Sequence, residues 1–177
     1  MAIADRKKQI FVTLAVFLAN ILADRLTKLL AVEFLKGKRP AAYLNNLVVF
    51  YYAENDGAFL SLGAGWNSYF KYLVFIIVPL GFCAAILVYL MVKEKETIRV
   101  VLLSCVAGGG TGNLIDRLCN EFRVVDFLNF GVGGLRTGIL NTADLSVTFG
   151  AAALVILELA GGRARQKPDG SGGGEKQ

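Results

Sequence analysis

Two aspartates lie in stretches that are otherwise apolar, and together they could form a catalytic pair. Asp126 lies within Val124-Val125-Asp126-Phe127, and Asp144 lies at the beginning of a long apolar run. Ionisable groups at membrane depth are energetically costly, so they mark functional sites by default. When two carboxyl groups lie close together, one stays protonated and donates a hydrogen bond, while the other takes a proton from an attacking water. The chain has no histidine, and a carboxylate-pair hydrolase needs no histidine, metal or cofactor.

Each aspartate also has a purely structural interpretation. Asp126 would be an ordinary solvated acid if its segment were a loop. Asn141 could cap the N-terminus of the last apolar segment, with Asp144 as the favourable acid of the first helical turn. The spacing of these residues leaves both interpretations open.

Polar residues from five separate segments fall at the same end of the apolar blocks. They are Asp24 with Lys28, Asn55 with Gly57, Asn113 with Asp116 and Arg117, Asp126, and Asn141 with Asp144. Asp24 and Lys28 have the spacing of a neutralising pair at helical positions i and i+4. Asp116 and its neighbour Arg117 could likewise form a structural ion pair. The convergence of five segments at one depth is more specific than any single motif and predicts a common site.

The elements that must position these residues are membrane spans. Of the 177 residues, 55% are hydrophobic and 19% are charged, and the apolar residues come in blocks rather than stripes. Four blocks have about the 20 residues that a spanning helix needs, at residues 10–32, 69–92, 98–115 and 140–159. We expect one integral-membrane, mainly α-helical domain over residues 1–160. A short basic segment at 1–9 and a disordered cytoplasmic tail at 161–177 are expected to flank the spans.

Lysine and arginine are distributed unequally between the two sides of the predicted bundle. With four spans both termini lie on one side, and that side carries ten of the 19 basic residues, against six in the two opposite loops. This bias favours both termini in the cytoplasm. The net charge of +5 is therefore interpreted as topology, and no basic stripe with interleaved aromatics indicates nucleic-acid binding.

The two loops opposite the termini, residues 33–68 and 116–139, contain structural signals of their own. Residues 44–52 are rich in β-branched and aromatic types, which predicts a strand, and the glycines of residues 131–138 predict a hairpin. Aromatic residues from Trp66 to Tyr72 form an interfacial belt, which a short helix on the membrane could precede. Strands near a membrane must satisfy their backbone groups, so we expect a small sheet resting on the outer surface.

The glycines of residues 108–112 do not indicate a dinucleotide site. The third glycine of that motif is missing, and no βαβ pattern surrounds the segment. Small residues in a span instead let neighbouring helices approach closely. Cys83 and Cys105 fall within spans as packing residues, and Cys119 has no histidine to activate it as a nucleophile.

Five short motifs occur in order along nearly the whole chain. They are Asp24-Arg25-Leu26-Thr27-Lys28, Asn55-Asp56-Gly57-Ala58-Phe59, Gly112-Asn113-Leu114-Ile115-Asp116-Arg117, Val124-Val125-Asp126-Phe127 and Asn141-Thr142-Ala143-Asp144. In this order, within a four-span chain, they resemble the motifs of the bacterial lipoprotein signal peptidases, also called signal peptidase II.

The resemblance implies an aspartic endopeptidase of the bacterial cytoplasmic (inner) membrane, with its active site at the outer face. Such enzymes remove the signal peptide from prolipoproteins, just before a cysteine that carries diacylglycerol. The implied fold is a four-transmembrane-helix bundle with a small extracytoplasmic β-cradle and an interfacial helix. The implied partners are prolipoprotein substrates and membrane lipid, with no cofactor and no nucleic acid, and we expect a monomer.

The resemblance also assigns roles to the polar residues. By motif, Asp126 and Asp144 are the catalytic residues; Asn55, Gly57, Asn113, Arg117 and Asn141 hold the substrate or shape the site; and Asp24, Lys28 and Asp116 have supporting roles. Two positions depart from the family pattern, since Phe59 stands where alanine is common and Leu140 where phenylalanine is common. Both changes keep apolar character, so they concern the shape of the pocket rather than the chemistry.

Two other function classes remain open. A proton-coupled transporter or channel component also uses buried carboxylates, although its acids would be spread through the membrane depth and its helices would form glycine-broken inverted repeats. A noncatalytic membrane scaffold is the other, although it would not need two acids in one site. Conversion of a diacylated prolipoprotein into a shorter product would distinguish the peptidase from both.

Overall fold

The structure is a computed structural model that describes residues 3–57 and 65–165, with side chains described from Asp5 to Gly57 and from Gly65 to Gly161. In chain order, the elements are α1 (Ile3–Leu35), β1 (Ala41–Tyr43), β2 (Val48–Asn55), α2 (Ser68–Tyr72), α3 (Val78–Val92), α4 (Thr97–Cys119), β3 (Val124–Val132), β4 (Leu135–Arg136) and α5 (Thr142–Arg165). A π-helical stretch at Leu73–Ile77 joins α2 to α3.

Four helices within the described residues are long and apolar enough to cross a membrane. They are Asp5–Leu35, Ser68–Val92, Thr97–Cys119 and Thr142–Gly161. The prediction of a mainly helical fold with four candidate spans and a small sheet is therefore confirmed. The helix that begins at Ser68 leads directly into the second span, and the interfacial helix expected before it falls partly on residues 58–64, outside the described residues.

The helices are longer than the apolar blocks that predicted them. Helix α1 begins at Ile3, so most of the expected basic segment is helical. Helix α4 continues to Cys119, and α5 continues to Arg165, five residues into the expected tail. Charged residues can extend the ends of a span because their long side chains reach water while the backbone stays helical. Residues 166–177 of the expected tail lie outside the described residues.

Helix α4 is the central helix of the bundle and packs against α1, α3 and α5. Its glycines allow two of these approaches, as the sequence predicted. A Cβ atom at Gly109 would lie 2.6 Å from the Ala143 carbonyl oxygen in α5, and a Cβ atom at Gly112 would lie 2.6 Å from Asp24 Oδ2 in α1. Any larger residue would therefore separate the helices that carry the polar cluster.

The sheet is antiparallel, with strands in the order β1-β2-β3-β4. The predicted strand at residues 44–52 is shifted, because positive φ angles at Leu44, Asn45 and Asn46 place a turn there and β2 begins at Val48. The predicted hairpin at residues 131–138 is confirmed as β3 and β4. Its turn includes Gly133 at a φ of +56°, which glycine adopts at little cost.

Strand β3 positions the first of the two aspartates, in a segment expected to be a loop. Asp126 is paired with Ala53 of β2, next to an irregularity between Phe50 and Ala53. Leu140 then pairs with Leu128 through two N–H···O bonds of 2.7 Å. The chain entering α5 therefore runs beside β3, which brings Asn141 and Asp144 close to Asp126.

Candidate active site

Asp126 is buried and held by two side-chain amides. Its side chain lies on β3 and the residue is only 3% exposed, so the interpretation as a solvated loop acid is wrong. Asn141 Nδ2 donates to Asp126 Oδ1 at 2.7 Å, and Asn55 Nδ2 donates to Asp126 Oδ2 at 3.2 Å. Because amides are neutral donors, they orient the carboxyl group without neutralising a charge on it.

Asp144 lies in the first turn of α5 and belongs to a reciprocal cap. The backbone N–H of Asp144 donates to Asn141 Oδ1 at 2.9 Å, and the backbone N–H of Asn141 donates to Asp144 Oδ2 at 3.0 Å. Asn113 Nδ2 donates to the other oxygen, Asp144 Oδ1, at 2.8 Å. The capping interpretation is confirmed, and the same bonds fix the orientation of the carboxyl group.

Asn141 therefore joins the two carboxyl groups through one residue. Its side chain donates to Asp126 and its backbone donates to Asp144. Asn141 is fully buried, and its amide also donates to Asn113 Oδ1 at 3.1 Å. The four oxygens of the two aspartates each accept one N–H bond from this amide network.

A second pair of aspartates lies behind the first and is bound by cations. Lys28 Nζ contacts Asp24 Oδ2 at 2.9 Å and Asp116 Oδ2 at 2.8 Å, and it donates to Asn113 Oδ1 at 2.8 Å. Arg25 Nη2 contacts Asp116 Oδ1 at 2.6 Å and Asp24 Oδ2 at 3.0 Å. Two negative and two positive charges thus balance in an ionic cluster of Asp24, Arg25, Lys28 and Asp116.

The ionic cluster also connects the elements that carry the amide network. Asp24 Oδ1 accepts the backbone N–H of Ala143 at 3.1 Å, at the start of α5. Asp116 Oδ2 accepts the backbone N–H of Val125 at 3.1 Å, beside Asp126 on β3. The expected pair of Asp24 and Lys28 is confirmed. Arg25 was not identified as a site residue, although its place beside Asp24 in the first motif was the available signal.

Asp116 does not pair with Arg117, contrary to the structural alternative offered for them. Adjacent residues on a helix point in directions about 100° apart and do not face each other. Asp116 faces α1, whereas Arg117 donates from Nη2 to the Gly57 carbonyl at 2.7 Å and lies 5.3 Å from the centre of the Phe75 ring. The backbone N–H of Gly57 in turn donates to Asn55 Oδ1 at 3.0 Å, so this contact supports the amide that holds Asp126.

The amide network faces a cavity of about 580 Å³. Five of the expected site residues line it: Asn55, Gly57, Asn113, Arg117 and Asp144. Its other wall is largely apolar and includes Val124, Ile139, Leu140 and Val147. The arrangement suits a ligand that has a polar centre and an apolar body. Asn141 is not among the lining residues.

Burial makes Asp126 an unusual acid. Loss of hydration, followed by the charge of nearby Asp144, raises the pKa of Asp126 to about 6, and the bonds from Asn141 and Asn55 limit the rise. A pair of interacting carboxyl groups titrates as a unit. The geometry therefore brings together two interacting carboxyl groups, and the pKa of one of them, Asp126, is raised toward the neutral range in which general acids and bases operate. Within residues 3–57 and 65–165, no group of three or more His, Cys, Asp or Glu side chains is arranged to hold a metal ion.

Comparison with known proteins supplies an independent line of evidence. Residues 16–160 match the model of the family described as "Signal peptidase (SPase) II". The lipoprotein signal peptidase of Paraburkholderia phymatum is 37% identical over 150 residues, covering 82% of this chain and 86% of that protein. The lipoprotein signal peptidase of Borrelia hermsii is 31% identical over 160 residues, covering 88% and 93%.

Two solved structures share the fold. A bacterial membrane enzyme determined by the in meso method at 2.3 Å resolution superposes with a TM-score of 0.75 at 22% identity, covering 90% of this chain and 94% of that one. A second bacterial membrane enzyme, determined by the same method at 1.9 Å resolution, gives a TM-score of 0.72 at 24% identity, covering 83% and 92%. At these identities the likeness concerns the arrangement of helices and sheet.

Proposed function

The chain belongs to the signal peptidase II family, and from that premise we propose that it is an aspartic endopeptidase with Asp126 and Asp144 as its catalytic pair. The proposed substrates are prolipoproteins that carry a diacylglyceryl group on a cysteine. The proposed cleavage lies just before that cysteine and releases the signal peptide.

The observation that carries this proposal is the double contact of Asn141. One buried residue donates to both carboxyl groups, from its side chain to Asp126 and from its backbone to Asp144. An aspartate serving only as a helix-capping acid would not need a second buried acid at the same asparagine. Asp144 also lines the cavity, whereas Asp126 does not, so a bound peptide would reach the pair from the side of Asp144.

The chemistry follows from one proton shared by two carboxyl groups. The ionised group takes a proton from a water molecule, whose oxygen attacks the carbonyl carbon of the peptide bond. The protonated group donates a hydrogen bond to the carbonyl oxygen, which stabilises the tetrahedral intermediate. A proton then passes to the leaving nitrogen as the C–N bond breaks, and the pair again holds one proton.

The cavity would bind the part of the substrate that surrounds the cleaved bond. A signal peptide is an apolar helix, and its cleavage site must become extended, which exposes backbone N–H and C=O groups. Asn55 and Asn113 line the cavity, and a side-chain amide can both donate and accept hydrogen bonds. Val124, Ile139 and Val147 offer an apolar wall to neighbouring side chains. Asn141 is fully buried, so we assign it to positioning the aspartates rather than to binding the substrate.

The proposed location follows from membership of the signal peptidase II family. We place the protein in the bacterial cytoplasmic membrane as a monomer, with both termini in the cytoplasm and the sheet and cavity at the outer face. Residues 1–160 form the proposed peptidase domain. The distribution of lysine and arginine along the chain supports this orientation.

Substitution of the two aspartates tests the function directly. Asp126→Asn and Asp144→Asn keep the size of each side chain but remove its acid–base capacity. We expect each purified, reconstituted variant to lose processing of a diacylated prolipoprotein by about 10³-fold or more, measured as loss of the shortened product on a gel.

The matched control is Glu121→Gln, because the Glu121 side chain is 83% exposed and pairs only with Arg123 in the described residues. We expect this variant to process the precursor at the parent rate. Circular dichroism should show unchanged helix content in all three variants. Full activity in either aspartate variant would contradict the proposed catalytic pair.

A further inference from the structure

The apolar surface of α1 continues to the level of the sheet. Leu22, Leu26, Leu30 and Phe34 are all between 54% and 61% exposed, and their spacing of four residues places them along one side of the helix. In a membrane-spanning helix, an apolar side that no other helix covers faces lipid. Hydrocarbon therefore extends along α1 to about Leu30, and its boundary lies near Phe34, whose neighbour Glu33 is exposed.

The sheet packs against the same part of α1. Ala31 forms a buried cluster with Val125 and Phe127 of β3, and Leu35 and Phe50 pack against it. Residues 27–35 of a helix span only about 12 Å along its axis. The inner part of the sheet is therefore level with the last lipid-facing turns of α1, rather than above them.

A groove lies between the sheet and this side of α1. Its volume is about 240 Å³, and α1 contributes Leu30, Ala31, Phe34 and Leu35 while the sheet contributes Phe50 and Phe127. The one hydroxyl in the lining belongs to Thr27, and it already bonds to Thr142 Oγ1 and to the Ala23 carbonyl. Water would find no free partner in such a groove, which makes it a poor site for ordered water.

An exposed apolar tip continues from the groove to the far end of the sheet. The Tyr43 ring meets the Phe50 ring edge-on at 5.6 Å, which joins the groove to the turn before β2. Tyr43, Leu44, Leu47, Val132 and Leu135 are between 44% and 84% exposed. Two hydrogen bonds connect the turn before β2 to the β3–β4 hairpin in this tip. Arg136 donates to the Asn46 carbonyl, and Gly131 N–H donates to the Leu47 carbonyl.

Basic residues mark the level at which water begins. Lys36, Lys38 and Arg39 follow directly after the last helical turn of α1 and are exposed. Lysine and arginine at the end of a span reach the headgroups and attract anionic phosphates. The α1 residues that line the groove come before these basic residues in the sequence. The tip comes after them and begins in β1.

We propose that the sheet is a lipid-binding element: the groove takes an acyl chain of a membrane phospholipid, and the tip lies in the boundary between headgroups and acyl chains. The lipid comes from the leaflet on the side of the sheet. The occupant is bulk lipid because the groove continues the lipid-facing side of α1. It is distinct from the 580 Å³ cavity lined by Asp144.

The bound lipid supports the strand that carries Asp126. Neighbouring residues on a strand point to opposite faces, and Phe127 lines the groove while Asp126 bonds to Asn141 and Asn55. An acyl chain against Phe127 therefore packs the reverse side of β3. Lipid contact becomes part of the support for the candidate site.

Tryptophan quenching in lipid bilayers tests this proposal, since the chain has one tryptophan. In a Trp66→Phe background, Phe50→Trp reports on the groove and Leu135→Trp reports on the tip. The full chain is reconstituted without substrate in phosphatidylcholine bilayers whose acyl chains are brominated. We expect both reporters to lose most of their emission to bromine and little to aqueous iodide.

Glu121→Trp in the same background is the water-exposed control, and iodide should quench it while bromine does not. Tyr43→Trp, at the edge of the groove, is a second reporter should Phe50→Trp fail to fold. Quenching of the groove and tip reporters by iodide alone would overturn the proposal. Bromine quenching of Phe50→Trp that appears only after a diacylated precursor is added would assign the groove to substrate and overturn it as well.

Discussion

Two pairs of aspartates lie within the same bundle, and their partners differ in kind. Asp126 and Asp144 are bound by uncharged amides, from Asn55, Asn113 and Asn141. Asp24 and Asp116 are bound by the cations Arg25 and Lys28. Asn113 Oδ1, which accepts from Lys28, connects the two groups.

The difference separates a titratable pair from a structural one. A cation beside a carboxyl group favours its ionised form, whereas a buried carboxyl group with neutral partners tends to keep its proton. Amide donors therefore give the first pair a fixed orientation without placing a positive charge beside it. Salt bridges bind the second pair, which joins α1 to the start of α5 and to β3 through Ala143 and Val125.

Two acids on neighbouring strands of the sheet show the same contrast. Glu54, on β2, accepts bonds from Tyr52, Lys36 and Arg123, and these bonds lower its pKa to about 2. Asp126, on the adjacent strand, has its pKa raised to about 6 by burial and by Asp144. Partner type and burial, rather than the strand or the residue class, decide which of the two acids has the higher pKa.

The largest expected effect on stability comes from the ionic cluster. Lys28→Met removes the cation shared by Asp24 and Asp116. Of the two cations of the cluster, only Arg25 then remains to pair with these buried carboxylates. Breaking a buried ion pair by removing one partner costs about 3–5 kcal/mol. We expect a lower free energy of unfolding and a lower midpoint in thermal unfolding of the purified protein in detergent.

The control for this prediction is Lys36→Met, which removes an exposed lysine from Glu54. Surface ion pairs contribute little, so its unfolding midpoint should stay close to that of the parent. The comparison would fail if Lys28→Met unfolded at the parent temperature, because the cluster would then not hold the helices together.

Much of the fold and the content of the site could be predicted from the sequence, because both depend on local patterns. Apolar blocks predicted four spans, and polar residues at one end of them predicted a common site. All ten site candidates either bond within the two groups or line the cavity, and Asn141 bonds to both aspartates without lining the cavity. The spacing of three residues between Asn141 and Asp144 was sufficient to predict the cap at the start of α5.

The partners of these residues could not be predicted, because they depend on packing between distant segments. Arg117 turns toward Gly57, 60 positions away along the chain, and Asp116 turns toward α1. The first part of β3, which contains Asp126, was missed because it has no alternation of polar and apolar residues; Val124 to Phe127 are all buried. The pairing of Leu128 with Leu140, together with the bond from Phe127 N–H to the Leu140 carbonyl, brings Asp126 to Asn141.

A smaller effect is expected when the amide network loses its central residue. Asn141→Ala removes the donor to Asp126 Oδ1 and the side-chain cap of Asp144 but leaves the backbone N–H that reaches Asp144. Misplacement of a catalytic group by about 1 Å can cost about 10²-fold. We expect a loss of that size in kcat with KM little changed, because Asn141 does not line the cavity.

Asn129→Ala is the matched control for that variant, since Asn129 bonds to Arg136 and to carbonyls of the hairpin, away from the aspartates. It should keep the parent kcat. An Asn141→Ala variant that raised KM at constant kcat would return Asn141 to the role of a substrate contact. Thermal unfolding should distinguish both outcomes from general destabilisation, since loss of a helix cap costs only about 1 kcal/mol.

The smallest expected effect is a shift in pH dependence, and it tests the contrast between amide and ionic partners most directly. The bond from Asn55 lowers the pKa of Asp126 because it favours the ionised form. Asn55→Ala removes that bond, so the pKa of Asp126 should rise and the shared proton should be lost at a higher pH.

The alkaline limb of kcat/KM, which reports the ionisation of the free enzyme, should therefore move to higher pH by less than about one unit. Asn120→Ala, which loses only a bond to the Arg123 carbonyl, should leave the limb in place. A shift to lower pH in Asn55→Ala would mean that Asn55 stabilises the protonated carboxyl group. In that case the amides would fix the position of the proton as well as the orientation of the aspartates.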